Sequence, residues 1–148
     1  MRTVSWSDGK VVLIDQTKLP SKFELIKTDD ISRIATAIKR LEVRGAPAIG
    51  VTAAYAMALS ALQSKEKDPE KLLLEIKKTR DFLATARPTA TNLFWAIDHM
   101  LKFANEKAAG GEKNLGEAML SEAERLADED VNRNQRLAEF GESLLPDG

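Results

Sequence analysis

The sequence predicts an α+β fold, mainly helical, with a small N-terminal antiparallel β element followed by a bundle of about five helices. Three observations carry that expectation. Two short β-prone runs flank an Asp-Gly pair near the start. A run without charge extends from Gly45 to Ser64. From Ile31 onward, apolar residues recur at helical spacing between breakers such as Pro69, Pro88 and Gly116.

The β element comes first. Arg2 to Trp6 and Lys10 to Ile14 are separated by Ser7-Asp8-Gly9, and Gly tolerates the positive φ of a tight hairpin turn. Beyond Pro20, Lys22 to Lys27 (KFELIK) alternates, with Phe23 and Leu25 on one face, and predicts a third strand. Residues 1–27 thus form the β part, residues 28–148 the helical bundle, and the two together one N-terminal domain.

Thr28 is positioned to cap the first helix, with Asp29 and Asp30 placing negative charge in its first turn. Its apolar stripe is Ile31, Ile34, Ala35, Ile38 and Leu41. Pro47 suits the first turn of a second helix running to about Leu62. Asp68-Pro69 starts a third through Leu72, Leu73, Ile76 and Leu83, which must end by Arg87 because Pro88 follows. Thr89 or Thr91 caps a fourth through Leu93, Phe94, Ile97, Met100 and Leu101. Asn105 to Gly116 reads as a mobile connection, and a long helix from about Leu115 to Phe140 is ended by Gly141. The last residues, LLPDG, form a turn that should feed another element, so the chain is expected to be the N-terminal domain of something longer.

Composition removes several functions. With 22 basic against 23 acidic residues there is no broad positive field for nucleic acid or an anionic membrane. The absence of cysteine rules out disulfides and thiolate metal sites, and a lone His99 cannot build a His-rich zinc site. The Gly45–Ser64 run approaches transmembrane length, but Ala, Thr52, Tyr55, Ser60 and Gln63 make it a buried core helix instead. MRTVSWSDGK has no apolar signal-peptide region, so the expected location is cytoplasmic.

Any anion site must therefore be local, and two stretches qualify. In VRGAPAIG, Gly45 allows a sharp turn and close backbone approach, and Pro47 presets the helix without an N–H. Unpaired amides of Ala46, Ala48 and Ile49, with Arg44 beside them, make an anion corner. In ARPTATN, Pro88 holds Arg87 extended next to another helix start, a second cation beside further amides. For such arginines the commoner role, from local pattern alone, is to tie off helix carbonyls or an acidic neighbour. His99 reads as a hydrogen-bonded or exposed helix residue, and Trp6 and Trp95 as packing residues. Asp130, Asn132, Arg133 and Asn134 read as a solvated or inter-domain face.

VRGAPAIG, preceded by IDQTKLP and followed by ARPTATNLFWAIDHM, resembles the methylthioribose-1-phosphate isomerase family, part of a superfamily related to translation initiation factor 2B. Glu129-Asp130-Val131, Asn134 and GESLLPDG are similar as well, so the resemblance covers essentially the whole chain. It implies that Arg44, Gly45, Ala46 and Arg87 bind a sugar phosphate. It also implies conversion of 5-methylthioribose 1-phosphate to the corresponding ketose 1-phosphate in methionine salvage, without cofactor or metal. In that family a cysteine and an aspartate of a C-terminal Rossmann-like domain do the chemistry. No cysteine exists in this chain and no aspartate matches, so no catalytic residue is assigned and the chain alone is expected to be inactive. Homodimerisation is implied chiefly through the missing domain. The alternatives are a regulatory initiation-factor-like module that binds proteins and phosphorylated metabolites, an isomerase of a related ribose or deoxyribose phosphate, and a helical interaction domain without a ligand.

Overall fold

The computed structural model describes residues 4–15, 17–18, 24–40, 42–43 and 45–144, the side chains of Ala46 and of residues 130–144 excepted. The elements run β1 (Val4–Ser7), β2 (Lys10–Ile14), β3 (Leu25–Thr28), α1 (Ile31–Lys39), α2 (Ala46–Gln63), α3 (Pro69–Ala84), α4 (Thr91–Ala109) and α5 (Leu115–Leu144). The α+β, mainly helical expectation is met.

The sheet has the order β1-β2-β3, antiparallel throughout. Asp8 and Gly9 both take positive φ, 52° and 78°, which matches the turn twist to the strands it joins. Val4, Val11 and Leu13 share the buried face, and the register pairs Leu13 with Ile26 and Val11 with Thr28. That reverses the expected polarity of the third strand. Its inward residue is Ile26, while Leu25 is 50% exposed. Alternation gave the period but not the phase, and pairing to β2 decided it. Phe23 lies outside the described residues.

The helices are organised around α2. Every residue from Val51 to Ala61 is buried, including Thr52, Tyr55 and Ser60, so this helix is enclosed on all sides. It packs against α1, α3, α4 and α5 and against β1 and β2. Trp6 of β1 stacks on Tyr55, with centroids 5.8 Å apart and planes 16° apart, and so joins sheet to bundle as a packing residue. The charge-free run thus earns its composition in a core, and among the described residues no helix is long and apolar enough to cross a membrane.

Four boundaries differ from expectation, each for a local reason. Asp30, not Thr28, caps α1: its side chain accepts from the Ser32 N–H, while Thr28 ends β3 and its hydroxyl accepts from the Asp30 N–H. Neither Thr89 nor Thr91 caps α4; Ala90 holds that position without a side-chain bond. The long connection shrinks to residues 110–114, because α4 continues to Ala109 and closes on Gly111 at φ 84°, with the Glu112 N–H bonding the Lys107 carbonyl. Finally, Gly141 is helical and α5 continues to Leu144, which a single glycine allows at a cost of about 1 kcal/mol. The proposed turn at residues 145–148 lies outside the described residues.

Candidate functional site

Gly45 precedes α2 with φ 92° and ψ 129°, a conformation that L-residues strongly disfavour. It leaves the helix start without a side-chain cap, and Pro47 supplies no N–H. The Ile49 N–H bonds the Gly45 carbonyl at 3.0 Å, so Ile49 is not a free donor as the motif implied. Within the described residues no hydrogen bond engages the Ala46 and Ala48 amides.

The second helix start is built alike. Ala90, the N-cap of α4, offers no side chain to the first turn, and its carbonyl accepts from the Leu93 and Phe94 amides. The Thr91 and Asn92 amides have no bond within the described residues. Arg87 lies in the short turn between α3 and α4, whose geometry is held by the Ala90 N–H to Arg87 carbonyl bond of 3.0 Å. Arg80 fastens the two helices upstream, its Nε donating to Asp98 at 2.8 Å.

The two starts meet. Gly50, one turn into α2, lies so close to α4 that a Cβ there would sit 3.3 Å from the Asn92 carbonyl oxygen. As a result Gly45 and Ile49 share one cleft of about 310 Å³ with Arg87, Ala90, Thr91 and Asn92. Arg87 is half-buried, and no ion pair or hydrogen bond ties its side chain among the described residues. Arg44 lies outside the described residues; Gly45, the backbone start at Ala46, and Arg87 are brought together. One nearby carboxylate is already neutralised. Glu42, buried, accepts from both Arg33 Nη1 at 3.0 Å and Nη2 at 2.7 Å.

On the other side of Asn92 a second cleft of about 330 Å³ is lined by Gly50, Val51, Trp95, Leu126 and Glu129. Trp95, expected to be a packing residue, is 57% exposed. It stacks instead on His99, centroids 4.9 Å and planes 8° apart. His99 Nε2 is 2.5 Å from Glu122 Oε2, so the expected hydrogen-bonded helix histidine is what the structure contains. Arg125 donates to the same carboxylate through Nε at 2.7 Å and Nη2 at 3.0 Å. Arg125, and secondarily His99, hold the Glu122 carboxyl below the usual range against the opposing effect of burial. The Glu122–His99 and Glu42–Arg33 pairings were not legible in sequence, because their partners lie at no recognisable spacing; the Glu122–Arg125 pair has the ordinary i,i+3 spacing of a helix. Among the described residues no group of three or more His, Cys, Asp or Glu is arranged to hold a metal ion.

This geometry belongs to a known lineage, since the profile of the initiation factor 2 subunit family matches residues 42–148. The chain belongs to that family. Among members of the initiation factor 2 subunit family and their relatives, it is 44% identical over 146 residues to methylthioribose-1-phosphate isomerase of Chloroflexus aurantiacus, covering 99% of this chain and 42% of that one. It superposes on the crystal structure of 5-methylthioribose 1-phosphate isomerase from Pyrococcus horikoshii OT3 with a TM-score of 0.93 and 39% identity, over 99% of this chain and 41% of that one. It also superposes on the crystal structure of translation initiation factor eIF-2B, subunit delta, from A. fulgidus with a TM-score of 0.88 and 46% identity, over 100% of this chain and 43% of that one. The chain spans about two fifths of the length of the relatives it matches.

Proposed function

We propose that this chain is the N-terminal, substrate-binding part of an aldose–ketose isomerase that converts 5-methylthioribose 1-phosphate to 5-methylthioribulose 1-phosphate in methionine salvage. The observation that carries the reading is the cleft where two uncapped helix starts meet an Arg87 guanidinium with no partner among the described residues. Amides and a planar cation matched to phosphate oxygens suit the 1-phosphate, and the charge-assisted bonds, about 1.5–3 kcal/mol each, outweigh the helix dipole at about 0.3–1 kcal/mol. Arg44, adjacent to Gly45 in sequence, joins Arg87 on that phosphate. The names of the relatives support the substrate.

The chemistry asks for more than binding. The phosphate blocks the anomeric oxygen, so a general acid must protonate the ring oxygen before hydrogen moves between C2 and C1. The chain has no cysteine, so catalysis is assigned to a C-terminal Rossmann-like domain of the longer protein. That protein is proposed to be a cytoplasmic homodimer that uses no metal or organic cofactor. The isolated chain should bind a phosphate monoester and yield no ketose. Fused to the C-terminal part of the Chloroflexus aurantiacus relative, it should turn the substrate over. Turnover by the chain alone would overturn the division of labour.

A second reading rests on the eIF-2B subunit delta likeness: a regulatory module binding proteins and phosphorylated metabolites. Absence of turnover in the fused protein, with phosphate binding retained, would favour it.

A further inference from the structure

The turn that carries Arg87 is the tip of a helical hairpin, with α3 as one arm and α4 as the other. Its own bonds fix its shape. The Thr85 N–H and hydroxyl donate to the Phe82 carbonyl, the Ala86 N–H to that of Leu83, and the Ala90 N–H to that of Arg87. None of these sets the angle at which the turn stands over the start of α4. That angle depends on how α3 sits against α4, and α3 is thinly packed. Of its 16 residues only Ile76 and Leu83 are buried, while Leu74 and Phe82 are 59% and 44% exposed. Apolar contact is non-directional, so a seam this narrow resists rolling of α3 weakly.

Arg80 supplies the direction. It lies one turn before the end of α3, and its Nε donates to Asp98 of α4 at 2.8 Å. Its guanidinium also stands over the Phe94 ring, 5.7 Å from the centroid. Phe94 and Asp98 are one turn apart, so the planar group spans the first two turns of α4. The Phe94 N–H in turn bonds the carbonyl of Ala90, at the rim of the cleft. The other polar ties of α3, Thr79 to Ser60 at 2.8 Å and Glu75 to Ser64, run to α2. Asp81 also accepts from Arg80, but it belongs to α3 and cannot join the arms. Among the described residues the Arg80–Asp98 bond is therefore the one side-chain hydrogen bond that closes the hairpin.

Resting on the reading of the Gly45–Arg87 cleft as a phosphate site, we infer that Arg80 is a positioning residue, a staple across the base of the hairpin that holds Arg87 over the oxyanion. Arg80 itself does not line the cleft. Its partner Asp98 is 58% exposed, so the pair adds little to global stability. Its effect falls on binding, because a hydrogen bond to phosphate weakens steeply once its donor leaves the proper distance and angle.

The test is a titration of this chain with ribose 1-phosphate, followed by NMR at the Gly45 and Thr91 amides, with hydrogen exchange of the Ala90 amide read on the free protein. Arg80→Ala should raise Kd about fivefold while the unfolding midpoint stays within about 3 °C of the parent. The Ala90 amide, bonded to the Arg87 carbonyl, should exchange about tenfold faster. Asp98→Ala separates position from charge. It makes the protein more positive near the cleft, so a purely electrostatic role for Arg80 requires tighter binding, whereas loss of the staple should weaken it about fivefold. In an Arg87→Ala background, Arg80→Ala should change Kd by less than about twofold. An unchanged Kd or Ala90 exchange rate in Arg80→Ala, tighter binding by Asp98→Ala, or the same loss in the absence of Arg87 would each overturn the inference. If ribose 1-phosphate moves neither Gly45 nor Thr91 in the parent, the phosphate reading itself fails, and the inference with it.

Discussion

Replacing Arg87 by alanine separates binding from stability. No carboxylate among the described residues holds this guanidinium, so folding stability should change by no more than about 0.5 kcal/mol on its removal. The ligand should feel the loss strongly. One charge-assisted bond is worth about 1.5–3 kcal/mol, so Kd for a phosphate monoester should rise about 10- to 100-fold. At a ligand concentration of about 100 Kd, binding stabilises the parent by about 2.7 kcal/mol; a 30-fold weaker variant keeps about 0.9. For a chain of this size the difference is a thermal shift smaller by about 4–7 °C. Thermal denaturation with and without ribose 1-phosphate reads both quantities. Arg33→Ala is the matched control. It strands the buried Glu42 carboxylate and should cost about 2–3 kcal/mol, the low end for a broken buried pair because 37% of the Arg33 side chain is exposed. An Arg87→Ala protein that loses stability while its ligand-induced shift persists would refute the assignment of Arg87 to the ligand.

Three further outcomes follow from the geometry. Gly45→Ala meets no atom within 4 Å, so its cost is backbone strain at φ 92°, about 1–3 kcal/mol, measurable by urea denaturation. Gly50→Ala instead presses on the Asn92 carbonyl 3.3 Å away; it should cost about 1–3 kcal/mol and weaken phosphate binding as α2 and α4 part, read by denaturation and calorimetry. Glu122 has a depressed folded pKa, chiefly through Arg125 and secondly through His99, so it stabilises fully above the ordinary carboxylate range near 4.3 and loses that contribution as pH falls through the depressed value. Glu122→Gln should therefore be less stable than the parent at pH 7, with the gap closing as pH falls below the ordinary carboxylate range, read by urea denaturation across pH.

Much of the architecture could be read from the residues. Asp8-Gly9, Asp68-Pro69 and Gly45-Ala-Pro47 each encode a local backbone geometry, and the structure uses all three. What sequence misjudged depends on neighbours distant along the chain. The phase of β3 followed from pairing to β2, which turned Leu25 outward. The choice between Thr28 and Asp30 as cap turned on where that strand stopped. Gly45 and Arg87 were singled out as separate candidate corners, but their shared cleft required the α2–α4 crossing at Gly50. Trp95 looked like packing because its helical spacing says nothing of which face another helix covers, and no local pattern announces Glu122 as the group behind it.

The enclosure of α2 has a mechanical consequence. The amides of its first turn belong to a rod clamped by every other helix, so they cannot swing toward a ligand without breaching the interior. Amide hydrogens in the middle of that rod should exchange with solvent only through global opening, at the slow limit for the chain. The α2 end of the cleft is therefore set before any ligand arrives, an anvil that stays still.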